Sequence, residues 1–212
     1  MMESRISNAT PPRAVVFDLG KVLLDFDYGR AVGQLLPLIN VELAVVKRLL
    51  VDSTLLFDYE TGRLTTEQFY ERIREATGFS AGLTTFEEIF GDIFTEITPM
   101  TALLPQLQRL GIRCCVFSNT NEMAIRHVTA RYPFYAAFDD HVLSFEHKAM
   151  KPDPALYEVV ERTLSLKGSD LLYLDDREEN VVAGWERGWR AFVHRTPDES
   201  LQHLRDAGLP VG

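Results

Sequence analysis

Positive charge is scarce in this chain. It has 22 lysines and arginines against 31 acidic residues, and a formal charge of −9. A protein of that sign repels nucleic-acid phosphate, and no basic stripe offsets the deficit, so nucleic acid is not an expected partner. A phosphate group can still bind locally, because the field in a pocket is set by its nearest groups. Cysteine is scarcer still, with only Cys114 and Cys115, adjacent in RCCVF. Neighbours on a strand face opposite ways, which places them poorly for a disulfide, and no Cys/His spacing suggests zinc. They read as two small buried apolar residues, which fits a reducing compartment. No uninterrupted apolar run approaches the roughly 18 residues of a membrane span. The opening MMESRISNATPPR lacks the apolar stretch of a secretory signal and reads as a disordered leader over residues 1–12. The expectation is a soluble, cytoplasmic protein with neither membrane nor nucleic-acid partners.

What the chain does have is core-forming material. Hydrophobic residues make up 46% and charged residues 25%, the balance of a packed globular protein. Three short apolar runs read as buried parallel strands: Ala14–Phe17, Arg113–Phe117 and Leu171–Leu174. Each is followed at once by polar residues, DLGK, SNTNE and DDREEN. In open α/β sheets ligands bind outside the carboxyl ends of the strands, so three polar clusters converge if these strands are neighbours. Weaker strands are expected at His141–Ser144 and Arg190–His194. Helical stripes lie between, at Pro99–Leu110, Asn121–Tyr132, Pro154–Leu164 and Asn180–Arg187, with SNT as a candidate cap for the second and Asp153 for the third. Trp185 and Trp189 read as core residues. Residues 28–98 differ. They show no clear strand, only helical stripes at Ala31–Leu38, Val41–Val51, Thr66–Thr77 and Thr85–Ile97, with a capping-box pattern TTEQ at 65–68. The expected architecture is a doubly wound parallel α/β sheet, residues 13–27 and 99–212, with a helical insert over 28–98.

The strand ends carry the chemistry. Asp18 closes a buried strand with a carboxylate, which can act as a nucleophile, bind a cation or merely cap a turn. Ser118, Asn119 and Thr120 offer donors to an anion, or a cap to the next helix. Lys151, held extended by the proline after it, can balance a carboxylate and bind phosphate, or lie on the surface. Asp175 and Asp176 repel each other at close range, which magnesium would relieve; they are also acids at a helix start. Nucleophile, donor, lysine and paired acids together suit phosphoryl transfer, where the anion needs donors and the negative nucleophile needs its charge cancelled.

Four segments in order, FDLGKV at 17–22, FSNT at 117–120, KPDP at 151–154 and YLDDREENVVAG at 173–184, resemble the haloacid dehalogenase superfamily. The resemblance implies a Rossmann-like core with a small helical cap after the first strand. The ending LDDREEN is similar to the phosphatase members, and the FDLGxV form to a branch that includes sugar-1-phosphate phosphatases. It implies that Asp18 attacks phosphorus, and that Leu19, Gly20, Ser118, Asn119 and Lys151 hold the phosphoryl oxygens. Asp18, the Gly20 carbonyl and Asp175 would bind Mg2+, with Asp176 beside them or acting through water.

The chain departs from the wider family at Gly20, where most such phosphatases carry the aspartate that protonates the leaving oxygen, and at Lys21, usually glycine. A missing acid costs roughly 10²–10⁴ in rate, unless another group supplies the proton. Asp25, Asp27, Lys21, His147 and water are the candidates, and Asp25 and Asp27 alternate with apolar residues so as to share one face. Within YETGRLTTEQF at 59–69, similar to a cap-helix junction, Tyr59 and Glu60, and Phe57 just before it, lie where cap residues touch substrate. The expected activity is magnesium-dependent hydrolysis of a small phosphorylated metabolite, with a sugar phosphate first in line. The alternatives are a metal-independent haloacid dehalogenase and a phosphate-binding protein with a weakened site.

Overall fold

A computed structural model describes residues 10–51 and 53–212; most of the leader lies outside these residues. Among the described residues seven strands form: β1 (Ala14–Phe17), β2 (Leu24–Phe26), β3 (Phe94–Glu96), β4 (Arg113–Ser118), β5 (Asp140–Leu143), β6 (Leu171–Asp175) and β7 (Arg190–Val193). Five make one sheet in the order β5-β4-β1-β6-β7, every pair parallel. The sheet is flanked by helices on both faces, the doubly wound α/β arrangement. Its strands alternate cleanly. Val15, Phe17, Cys114, Val116, Leu172 and Leu174 enter one core. Ala14, Val16, Cys115, Phe117, Leu171 and Tyr173 enter the other. Each fully buried Val, Leu or Phe contributes about 1.5–3 kcal/mol, and a residue inside on both faces explains the unbroken apolar runs. Cys114 and Cys115 fall on opposite faces as free buried thiols, and burial pushes both above the ordinary thiol range.

Residues 28–93 form a helical layer with its own core. Helices span Tyr28–Leu35, Leu43–Val51, Leu55–Glu60, Thr66–Thr77 and Leu83–Gly91. Tyr59 stacks on Phe69 at 4.3 Å, and Phe86 packs against Phe69, Tyr70, Phe79 and Phe90. The capping box forms, Thr65 accepting from the Gln68 amide and Gln68 from the Thr65 amide. The stripe expected to be helical over Thr85–Ile97 stops at Gly91. Beyond it Phe94–Glu96 is a strand, antiparallel to β2. The edge offered by Leu24–Phe26 overrides the helical pattern there.

Three smaller differences have equally local causes. Pro99–Leu110 divides into Thr98–Thr101 and Leu104–Arg109, each with proline in its first turn. Asn121, not the SNT before it, caps its helix by accepting from the Ala124 amide. Trp189 is buried, but Trp185 is 53% exposed; its indole N–H donates to the Ala191 carbonyl at 2.7 Å, satisfying the polar edge and leaving the ring in solvent. Among the described residues no helix is long and apolar enough to cross a membrane.

Candidate active site

The carboxyl ends of β1, β4 and β6 sit side by side, and the loop after β5 delivers Lys151 among them. The Lys151 side chain is 1% exposed. Its Nζ lies 2.9 Å from Asp18 Oδ1 and 2.6 Å from Asp175 Oδ2, and donates to the Phe117 carbonyl at 2.8 Å. The three ammonium protons are therefore all assigned. Asn119 fixes the lysine's backbone: Nδ2 donates to the Lys151 carbonyl at 3.0 Å, and Oδ1 accepts from its amide at 2.7 Å. Ser118 is buried beside them.

Electrostatics follow from this packing. Burial pushes Asp18 up to about 7; Lys151 pulls it down, and Asp175 and Asp176 push it up. Burial alone would raise Asp175, but Lys151, the Tyr173 hydroxyl and the Arg177 amide hold it below the ordinary carboxylate range. Burial opposes the charge on Lys151, and Asp175 and Asp18 overcome that and hold it above its usual value. Asp176 is raised by burial and by Asp175.

The two adjacent acids differ in how free they are. Asp175 accepts from Lys151, Tyr173, Asn180 and the Arg177 amide, which occupies the lone-pair capacity of a carboxylate. Asp176 makes no side-chain hydrogen bond among the described residues. Asp18 engages Lys151 and the Leu19 amide through Oδ1, leaving Oδ2 free for chemistry. One carboxylate oxygen from each of Asp18, Asp175 and Asp176 lies within 4.8 Å of the others. Three acids against one lysine, with Asp18 hard to ionise, suit a hard, oxygen-seeking divalent cation.

A cavity of about 230 Å³ opens over these groups. Asp18, Leu19, Gly20, Lys21, Ser118, Asn119, Thr120, Lys151 and Asp176 line it, with Arg177 and Asn180 from the following helix and Glu60 from the helical layer. Asp25, Asp27 and His147 do not. Asp25 pairs with Lys21 at the surface, and Asp27 caps helix Tyr28–Leu35 by accepting from the Gly29 amide. Gly20 leaves space for a ring: a Cβ there would lie 3.1 Å from Phe26 Cε1. Lys21 is left-handed (φ 59°), which is why glycine suits that position, and its Nζ lies 4.3 Å from the centre of the Phe26 ring.

The cap-layer residues separate likewise. Phe57 is exposed under Arg63 and lines no part of this cavity. Tyr59 is buried, its hydroxyl bonded to Thr66 and to the Met123 amide. Glu60 faces the cavity, and its carbonyl accepts from Ser144 Oγ at 2.6 Å; that hydroxyl also accepts from the Thr120 amide. Gly62 follows with φ 64°, and a Cβ there would meet the Phe145 carbonyl oxygen at 2.0 Å, so glycine alone allows the approach. Burial pushes Glu60 up to about 7, opposed by Arg177.

A family model for haloacid dehalogenase-like hydrolases matches residues 12–184. The chain belongs to this family. Among curated members it is 22% identical over 175 residues to a sesquiterpene phosphatase of Aspergillus oryzae, covering 81% of this chain and 84% of that protein. It is 21% identical over 196 residues to D-ribitol-5-phosphate phosphatase of Bacteroides thetaiotaomicron, covering 90% and 95%. Two other curated relatives are longer proteins, of which the chain spans 19% and 36%. A solved HAD family enzyme of Bacteroides thetaiotaomicron, in complex with magnesium and inorganic phosphate, superposes with a TM-score of 0.77 at 22% identity, over 87% of this chain and 94% of that one. These likenesses establish the HAD fold, and the site above occupies the switch region of its parallel sheet.

Tyr173, Arg177 and Asn180 were not singled out by the sequence reading. Tyr173 precedes Asp175 by two residues, the same-face spacing of a strand, and Asn180 follows it by five, past the helix start. Both spacings were present in YLDDREEN.

Proposed function

We propose that this HAD hydrolase is a magnesium-dependent phosphomonoesterase. The observation that carries it is the buried Lys151 bonded to both Asp18 and Asp175, with Asp18 Oδ2 left free. Asp18 attacks phosphorus and forms an aspartyl-phosphate. Ser118 Oγ and the backbone amides of Gly20 and Asn119 hold the phosphoryl oxygens, with the Leu19 amide and the positive charge of Lys151 beside them. Asp18, the Gly20 carbonyl and Asp176 would hold magnesium, with Asp175 engaged chiefly in fixing Lys151. When bound, the ion neutralises charge on the phosphoryl group. Water then attacks the aspartyl-phosphate, releasing phosphate and restoring Asp18. The helical layer, residues 28–93, serves as the cap that excludes bulk water.

The test is phosphate release from p-nitrophenyl phosphate in magnesium and in EDTA. Release in magnesium that EDTA abolishes is the expected result. Equal release in EDTA would discard the metal, and no release from folded protein in either buffer would discard the activity.

Glu60 is assigned the proton that an aspartate at position 20 would have supplied. It lines the same cavity, and a carboxyl titrating near 7 suits acid–base work at neutral pH. Glu60→Gln is expected to lower kcat on alkyl phosphates by about 10²–10⁴ and to change aryl phosphates little, since phenolate leaves without help. The wild-type decline in alkyl-phosphate turnover as pH rises above about 7 should vanish with it. Stability moves the other way. A carboxyl raised from 4.5 to about 7 by burial loses stability as pH climbs through that interval, so at pH 8 the ionised group is a cost. Glu60→Gln should then be more stable than wild type by about 1–3 kcal/mol in denaturant titrations at that pH. Equal losses on alkyl and aryl substrates would remove the assignment.

A further inference from the structure

A second cavity, about 360 Å³, lies within the helical layer beside the first. Tyr28, Glu60, Phe94, Asn121 and Ala124 line both, so the two are neighbours across these five residues. Their chemistry differs. The first is walled by carboxylates, amides, two lysines and Arg177, with Phe26, Phe94 and Met150 beside them. The second is walled almost wholly by hydrocarbon from helices Tyr28–Leu35 and Leu43–Val51, with Phe69, Phe90 and Met123 beyond. Only Lys47, Glu60 and Asn121 among its lining carry a charge or an amide. Lys47 is itself an exposed residue. Asn121 Oδ1 is committed to the Ala124 amide, and the Tyr59 hydroxyl to Thr66 and Met123.

We infer that the substrate is the phosphomonoester of an aliphatic alcohol, its hydrocarbon chain filling the second cavity while its phosphate occupies the first. This deepens the phosphatase reading above and rests on it. A polyol or sugar placed there would lose its water partners and find few replacements, because the lining offers few polar atoms, and Asn121 Oδ1 and the Tyr59 hydroxyl are already bonded. A hydrocarbon loses nothing by leaving water and gains from every methylene it buries. The volume lies in the range of pockets that enclose small ligands, about 300–1,000 Å³. Glu60 is on the wall common to both cavities, between the place given to the phosphate and the place given to the chain, and a proton donor is needed at the ester oxygen that joins them. The reaction balances simply: the P–O bond to the alcohol breaks, Asp18 takes the phosphoryl group, and the alkoxide oxygen receives one proton.

The experiment is calorimetric binding of unreactive n-alkylphosphonates, ethyl through decyl, to the full chain in magnesium buffer, with ribitol 5-phosphate and p-nitrophenyl phosphate turnover alongside. Kd is expected to fall about threefold for each added methylene until the cavity is full. Ribitol 5-phosphate should be bound less tightly than decylphosphonate. Val32→Trp, which puts an indole into the apolar lining, should flatten the series. Leu43→Glu, at an exposed position of the same lining, is the second variant should the first fail to fold. A Kd independent of chain length, a preference for the polyol phosphate, or a slope that survives both substitutions overturns the inference. Turnover of p-nitrophenyl phosphate beside a flat series would leave the phosphatase reading standing and remove this one. A steep series without turnover would overturn the phosphatase reading and, with it, the claim that such esters are substrates.

Discussion

Asp18→Asn should abolish turnover while leaving the fold intact. Asn has nearly the same shape, keeps an oxygen for the Leu19 amide, and removes one of the carboxylates that crowd Lys151. It cannot form an acyl-phosphate that water readily hydrolyses. Loss of a nucleophile that acts with its neighbours as a unit costs on the order of 10⁴–10⁶ in kcat. Rapid-quench mass spectrometry should find a phosphorylated peptide containing Asp18 in the wild type and none in the variant. Because burial already disfavours the charge on Asp18, the unfolding midpoint of the variant in metal-free buffer should equal or exceed that of the wild type. A variant that folds and retains a tenth of the activity would show that another group attacks phosphorus.

Lys151→Met should do the opposite to stability. Methionine fills the volume of the lysine stem but brings no charge. Asp18 and Asp175 would then face each other across the site with their common cation gone, and the Phe117 carbonyl would lose its donor. Removing one partner of a buried ion pair costs about 3–5 kcal/mol, because the surviving charges have no water to turn to. The deficit should depend on pH in a definite sense. Without the lysine, burial and mutual repulsion raise both carboxylates, so their ionisation destabilises the fold as pH rises. The variant should lie furthest below wild type in alkaline buffer and approach it in acid. Turnover should fall with the loss of the positive charge that orders Asp18 and offsets the phosphoryl charge. A denaturant midpoint within error of wild type at neutral pH would mean that Asp18 or Asp175 is already protonated there.

The sheet was readable because its strands are inside on both faces. Ala14–Phe17 and Leu171–Leu174 had no choice but to be apolar throughout, and such runs ending in acids locate strand ends without further help. Asp18, Ser118, Lys151 and Asp175 meet because β1 lies between β4 and β6, an order the runs alone do not encode. The helical layer was harder. Phe94–Glu96 is three residues long, too short to show a period, and becomes a strand only because Leu24–Phe26 offers an edge. Trp185 was placed in the core on hydrophobicity, but one indole N–H bonded at the surface suffices to keep it out. Glu60 could be suspected of meeting substrate, yet its role as a proton carrier depends on burial, which no local pattern announces. The second cavity is less legible still, since its walls come from six separate stretches between Tyr28 and Ala124.

The pairing of β2 with β3 has an evolutionary side. These strands are where the chain leaves the sheet for the helical layer and where it returns, and they lie against each other. An insert whose two ends are neighbours can be lengthened, replaced or reshaped without moving Asp18, Lys151 or Asp175. The residues that would cleave a phosphate and those that would choose what it is attached to are thus carried on structurally separable parts.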